Sequence, residues 1–321
     1  MRKLLLGLII ILGASKLSAQ PVPAVDENIP YLQVFGKESS IEWGDDDFTQ
    51  IIFFSVPKDF AKPLYIRVYD PDCGGEIDEA KGPWSTKTTF SVYGGAGACS
   101  NEDARKSKLG GNYKSGNLIS SKTFSENPKY DKQWYTFGPI NPTEGEFLTD
   151  YGGNVFKLIV DGTSGDDGNL YRLFLSTSPT ENRPVEGAFA FYFKYKFRMY
   201  DDQNEVSHIY PYIDDKVLFV RQANFDWDFD GIIRIISVSK NGELMKTSGN
   251  SDWQVSQHKV VKEEQNTSYD IQFIKSKTEK VKSNNVVFFI QNQYGTAMPF
   301  YSVPIGGIPK YKYTISIKPK K

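Results

Sequence analysis

The sequence predicts an all-β protein, and three observations carry that reading. Aromatic residues make up 14% of the 321 residues, with 22 Phe and 19 Tyr, and aromatic side chains suit the pleated, half-buried surface of a strand. The apolar runs are short and stop at Gly, Pro, Asp or Asn, which is the punctuation of successive strands. No window of roughly 11–18 residues repeats apolar side chains at helical spacing.

In chain order, Arg2 and Lys3 precede an apolar run from Leu4 to Leu12, and Leu17-Ser18-Ala19 stand before Gln20. The run is too short to span a bilayer, so residues 1–20 read as a cleaved secretory signal. Export to the periplasm, the outer membrane or the exterior is the expectation. No Cys lies near the cut to take a lipid anchor, and no later run is long enough to cross a membrane.

Strands are expected at Ile51–Val56, at Leu64–Tyr69 before Asp70-Pro71, and at Thr88–Tyr93 before Gly94-Gly95. Residues 94–122, rich in Gly, Ser, Asn and Lys, read as a long surface loop, either a loose insertion or a binding lid. Trp134–Phe137 follows, stopping at Gly138-Pro139. Val155–Val160 and Leu170–Leu175 flank a Gly- and Asp-rich loop over 161–169, and Phe189–Tyr200 reads as one long alternating strand. A joint is expected at Asp201–Asn204. Beyond it lie Ile232–Val238 with a hairpin turn at Lys240-Asn241-Gly242, then Ser268–Ile274, Val286–Gln291 and Tyr311–Ile317. These give two consecutive β-sandwich domains, residues 21–200 and 201–321, after the signal.

The formal net charge of −1 excludes a chain built to grip nucleic acid. The stretch from 21 to 200 is net acidic and the stretch after it slightly basic, ending in Lys310, Lys312, Lys318, Lys320 and Lys321; this shift fits two domains. Cys73 and Cys99 are the only cysteines, and an exported chain with one pair predicts a disulfide between them. His208 and His258 are the only histidines, and no HExxH, phosphate-binding loop or GxSxG elbow accompanies them. A glycosidase with two carboxylates needs no local motif, so that chemistry is not removed.

Acidic clusters are the remaining chemistry. Asn224, Asp226, Asp228 and Asp230 alternate with Phe225, Trp227 and Phe229. In a strand this sets acids on one face and aromatics on the other, with successive acids too far apart to share an ion. The EF-hand alternative lacks its twelfth-position Glu, because Ser237 stands there. Asp70, Asp72 and Asp78 lie in a segment that Gly74-Gly75 lets curl, and Asp161, Asp166 and Asp167 lie in a Gly-rich loop. Hard oxygens on such loops suit calcium, so these six are the candidate ligands, placed together on one rim. Trp84, Trp134 and Trp253 stand beside polar, Gly or Pro residues and are candidates for stacking sugars, whereas Trp43 and Trp227 read as core.

The string LYIRVYDPDCGGEIDEAKGPWSTKTTFSVYGG over 64–95, with GDDGNLYRLFLSTSP from Gly165, resembles β-sandwich modules of bacterial envelope and secreted proteins. The pre-peptidase C-terminal-like and calcium-dependent C2-like modules are nearest, over residues 45–200. The short signal followed by Gln resembles secreted Bacteroidetes proteins. The resemblance implies a module that binds or stabilises rather than catalyses, with an envelope or cell-surface protein as partner. The expected function is therefore a non-catalytic secreted or envelope protein that binds another protein. The alternatives are a carbohydrate-binding module with a glycan partner and, third, a glycoside hydrolase.

Overall fold

The computed structural model describes residues 21–107, 112–277 and 284–302. The expected signal peptide, the strand at 311–317 and the basic C-terminal lysines lie outside the described residues. Among the described residues the protein is all-β, and its helical turns are short 3-10 segments.

The first half contributes β1 (Pro21–Val22), β2 (Tyr31–Phe35), β3 (Thr49–Pro57), β4 (Leu64–Tyr69), β5 (Lys87–Gly94), β6 (Asn117–Phe124), β7 (Trp134–Ile140), β8 (Glu146–Leu148), β9 (Gly153–Ser164) and β10 (Gly168–Ser176). The chain continues with β11 (Phe189–Tyr192), β12 (Lys194–Arg198), β13 (Val206–Ile209), β14 (Tyr212–Ile213), β15 (Phe219–Phe225) and β16 (Gly231–Ile236). It ends with β17 (Asn241–Met245), β18 (Trp253–Lys259), β19 (Thr267–Ser268), β20 (Asp270–Lys275), β21 (Asn285–Asn292) and β22 (Phe300–Tyr301).

A nine-stranded sheet runs β18-β15-β21-β12-β2-β10-β4-β7, with β1 also on β10. A seven-stranded sheet runs β22-β11-β3-β9-β5-β6, with β8 on β9. A four-stranded sheet, β13-β20-β16-β17, and the small pair β14-β19 complete the set, and all the pairings are antiparallel.

The apolar runs follow from this layering. In β3, Ile52, Phe54 and Val56 join the main core, while Ile51 and Phe53 point the other way into a second cluster with Cys99, Phe191 and Tyr301. A strand buried on both faces reads as a continuous apolar run rather than an alternation. The expected strand from 189 to 200 is two strands. It breaks at Phe193, with β11 pairing with β3 in one sheet and β12 pairing with β2 in the other.

The nine-stranded sheet also crosses the expected joint. β12 pairs with β21, and β21 with β15, so strands from both sides of residue 200 share one ladder. The main hydrophobic cluster is equally shared: Phe273 of β20 packs edge-on against Phe197 of β12 and Phe288 of β21, with ring centroids 5.3 and 5.4 Å apart.

Two local expectations change. Residues 117–122 are not loop but part of β6, which lines up along β5 with Ser121 against Ser91 and Thr123 against Thr89. A polar edge strand of this kind carries no apolar alternation to reveal it. Residues 226–230 are not strand: β15 ends at Phe225, and Asp226, Asp228 and Phe229 adopt left-handed backbone at φ 57°, 57° and 59°. The chain curls because Ser248 Oγ accepts from Trp227 N–H (2.8 Å) and Asp226 accepts from Ser251 N–H (2.7 Å). The faces are thereby exchanged, with Trp227 and all three acids buried and Phe229 exposed.

Candidate functional site

Asp70 and Asp72 follow β4 directly. Asp70 takes a left-handed φ of 58°, which turns the chain out of the strand. Its Oδ1 accepts from Lys132 N–H at 2.7 Å, and Asp72 Oδ2 accepts from Asn127 N–H at 3.3 Å, so both carboxyls face the 125–133 segment between β6 and β7. Burial pushes Asp70 up to about 7 and Asp72 up to about 6, with Asp131 adding repulsion to each. Asp78 is spent on structure: it accepts from Gly74 N–H and Leu170 N–H, both at 2.7 Å. Asn169 donates to the carbonyls of Pro71 (3.0 Å) and Asp72 (2.8 Å). The two acidic loops do meet, therefore, but through Asn169, Leu170 and a backbone bridge between Glu79 and Gly168.

The other three candidate ligands stand apart from Asp70 and Asp72. Asp161 pairs with Lys114 at 3.1 Å and accepts from Thr49 Oγ1 at 2.9 Å. Asp166 accepts from the Ser85 hydroxyl at 3.3 Å. Asp167, fully buried, accepts three backbone N–H groups, from Lys81, Ser85 and Thr86, and thereby fastens the 81–86 segment. Asn169, which touches the turn, belongs to the expected 161–169 loop, whereas Asp131, which faces it, lies in another segment that no spacing in the sequence points to.

A second acidic group, Asp45, Asp46 and Asp47, has ligand atoms within 4.8 Å of one another. It already holds cations. Lys196, fully buried on β12, contacts Asp45 and Asp47 closely and reaches Asp46 at 3.2 Å; Lys194 contacts Asp46 closely and reaches Asp47 at 2.7 Å. Burial works against the charged forms and prevails at Asp45, which is pushed up, yet the mutual attraction holds Lys196 above and Asp47 below their usual ranges.

The expected disulfide is absent: Cys73 and Cys99 are free and buried. Cys73 sits in the Asp70–Asp78 turn, while Cys99 belongs to the cluster on the outer face of β3 and β9. The 95–107 segment is fastened without a bridge, because Glu146 accepts from the N–H groups of Gly97 (2.8 Å), Cys99 (2.7 Å) and Ser100 (2.9 Å). Burial pushes both thiols up, Cys99 to about 12, so neither is nucleophilic at neutral pH. Intact-mass analysis after iodoacetamide is expected to show no adduct on native protein and two after denaturation without reductant. A denatured chain that takes none would restore the bridge.

The three candidate tryptophans form no row. Trp134 lies on β7 and Trp253 on β18, at opposite edges of the nine-stranded sheet, and Trp84 is half-buried in a turn. Trp134 packs on Tyr69 with Arg67 over its ring; Trp253 packs between Phe225 and Phe289. His208 pairs with Asp270 and His258 with Glu243, at 2.8 and 2.7 Å, and neither bonds a hydroxyl or thiol among the described residues. A groove of roughly 630 Å³ is lined by Glu76, Asp78, Glu79, Arg172 and Arg198, among others. Its charges are engaged: Glu79 by Lys81 and Arg198, Glu76 by Lys132.

The outward face of the four-stranded sheet is different. Ile233 and Ile235 are fully buried, so Ile232 and Arg234 point outward. Register places Val206, Ile274 and Ile232 side by side across β13, β20 and β16. Phe229 on the preceding turn is 62% exposed and Leu244 of β17 is 61% exposed. Phe229, Ile232 and Ile274 line a shallow, open groove with Lys275 and Lys277 at its end.

No helix of the described residues is long and apolar enough to cross a membrane. Compared with known proteins, the chain matches no family model and no curated protein.

Proposed function

We propose that this chain is an exported, non-catalytic β protein that docks onto another protein of the envelope or cell surface through the outward face of its four-stranded sheet. One observation carries the reading. Three β-branched side chains, Val206, Ile274 and Ile232, stand in register on a solvent-facing sheet, with Phe229 and Leu244 exposed beside them. Single exposed apolar residues are ordinary, whereas a contiguous row rimmed by polar groups is what a protein interface presents. Arg234 and Lys277 supply part of that rim, Arg234 tied to Gln272 at 2.8 Å and Lys277 to Asn204 at 3.0 Å.

The test is capture from an outer-membrane fraction with the full mature chain, followed by quantitation of the captured species. The double variant Ile232→Asp/Ile274→Asp is expected to weaken that species at least tenfold, or about 1.4 kcal/mol, with an unchanged circular dichroism spectrum. Leu118→Asp, at a more exposed position on β6 of another sheet, is expected to retain it. Retention by the double variant, or equal loss with Leu118→Asp, rejects the docking face.

A further inference from the structure

We propose that the Asp70–Asp78 turn, closed by Asp131, binds a calcium ion through oxygens of Asp70, Asp72 and Asp131. With the carboxyls ionised, four buried side-chain oxygens here lack a donor: Asp70 Oδ2, Asp72 Oδ1, Asp131 Oδ1 and Asn169 Oδ1; a shared proton would bond Asp70 to Asp72 and leave the other two without one. Asp70, Asp72 and Asn169 are 0%, 1% and 0% exposed. Buried carboxylates require a counter-charge or a full set of donors. Among the described residues no Lys or Arg pairs with Asp70, Asp72 or Asp131, and neighbouring Lys132 reaches out to Glu76 instead, at 2.6 Å. The contrast with Asp45–Asp47 is direct. That group is neutralised by two lysines; this one has carboxylates in place and no cation among its own side chains.

Asn169 is the independent observation. Proton sharing between Asp70 and Asp72 would relieve their charge, yet it would leave a neutral, fully buried amide oxygen without a donor. The nitrogen of that amide is held against the turn by the carbonyls of Pro71 and Asp72, and a metal ion satisfies such an oxygen as readily as it does carboxylates. The backbone leaves room for the third acid as well. Gly75 has φ 84°, and a Cβ there would come within 2.5 Å of Asp131 Oδ1, so only glycine lets that carboxylate lie against the turn.

The donor set selects the ion. Every free donor is a hard oxygen, which disfavours thiophilic metals. The oxygens come from a turn, a loop and a strand end, an irregular set that calcium accepts and octahedral magnesium does not. Among the described residues only Asp45–Asp47 already bring three ligand atoms within 4.8 Å. The Asp70 turn therefore closes on its ion from a wider spacing, with water completing the shell as in other calcium loops.

Calcium titration by calorimetry and terbium luminescence, sensitised by neighbouring Trp134 and Tyr69, reads the site directly. A dissociation constant of order 10⁻⁴ M is expected, typical of extracellular modules. At tenfold excess calcium the protein should melt about 2–4 °C higher than in chelator. Asp131→Asn, at a half-exposed position, is expected to weaken binding at least tenfold with the fold intact. Asp72→Asn should lose the calcium response yet melt at or above wild type in chelator, because one uncompensated buried charge is gone. Asp166→Asn, at a half-buried position where the carboxylate accepts from the Ser85 hydroxyl, should respond like wild type. Equal melting in calcium and chelator with no terbium emission overturns the proposal, and so does a full response in both Asp72→Asn and Asp131→Asn.

Discussion

Replacing Lys196 by Met is expected to destabilise the protein by about 3–5 kcal/mol. The ammonium is fully buried and faces Asp45, Asp46 and Asp47. Its removal leaves Lys194 alone against three carboxylates, and an uncompensated buried charge is among the largest single-residue penalties known. Methionine keeps most of the side-chain volume, so the loss reports charge rather than a cavity. For a chain of this size the melting temperature should fall by on the order of 10 °C. Sodium chloride should change that difference little, because a dry pair is poorly screened. The pH signature follows from the shifts. Asp47, held below its usual range, contributes stability above the unfolded carboxyl value that is lost as pH drops through the folded one. Lys196, held above its range, contributes stability below the unfolded lysine value that is lost as pH rises past the folded one. Urea titration of wild type and variant at pH 7 decides the matter; a difference under about 1 kcal/mol would show that the cluster is no better than a hydrophobic isostere.

Glu27 is expected to give the opposite pH trend. It lies in a 3-10 turn before β2, fully buried, where Ala24 N–H (2.6 Å), Tyr195 (3.1 Å) and Tyr192 donate to it. Burial raises its carboxyl to about 7, and those three hydrogen bonds only partly offset the rise. The unfolded chain titrates near 4.5, so between these values the folded protein binds the extra proton. Stability from this group is complete below pH 4.5, declines as pH climbs to 7, and has lost about 3 kcal/mol above it. Asp70 and Asp226 are raised into the same window, so the measurement is the difference between wild type and Glu27→Gln in urea at pH 5 and pH 8. Wild type should weaken relative to the variant by about 2.5 kcal/mol over that interval. Parallel curves would place the proton elsewhere.

The strands that the sequence revealed are those whose side chains do one job. β4, β5, β9 and β10 fill cores, and their apolar runs bound them within a few residues. β6 was hidden because an edge strand pairs through its backbone and can carry Ser and Thr throughout. The turn at 226–230 was hidden because its conformation is imposed from outside, by Ser248 and Ser251, some 20 residues along the chain. The cysteines misled for a related reason. One pair in a chain expected to be exported suggests a bridge, but spacing says nothing about where in the fold each thiol is buried. Of the candidate metal ligands, Asp70 and Asp72 were legible because a turn-permitting Gly-Gly follows them. Asn169 was legible as part of the Gly-rich loop, but Asp131 reaches that turn only through long-range packing, as does Lys196 in reaching Asp45.

The arrangement of the nine-stranded sheet also sets the order in which the molecule can assemble. β2 (Tyr31–Phe35) finds its neighbour β12 only roughly 160 residues later; β12 in turn waits roughly 90 more for β21, so the central ladders are all non-local and folding is correspondingly slow. Until β21 arrives, the far edge of β12 exposes unpaired N–H and C=O groups beside Tyr195 and Phe197, the kind of bare edge that recruits other chains. A fragment ending near residue 200 would keep that edge open permanently. Closure at the centre of this protein therefore waits on a strand that lies far along the chain from the one it completes.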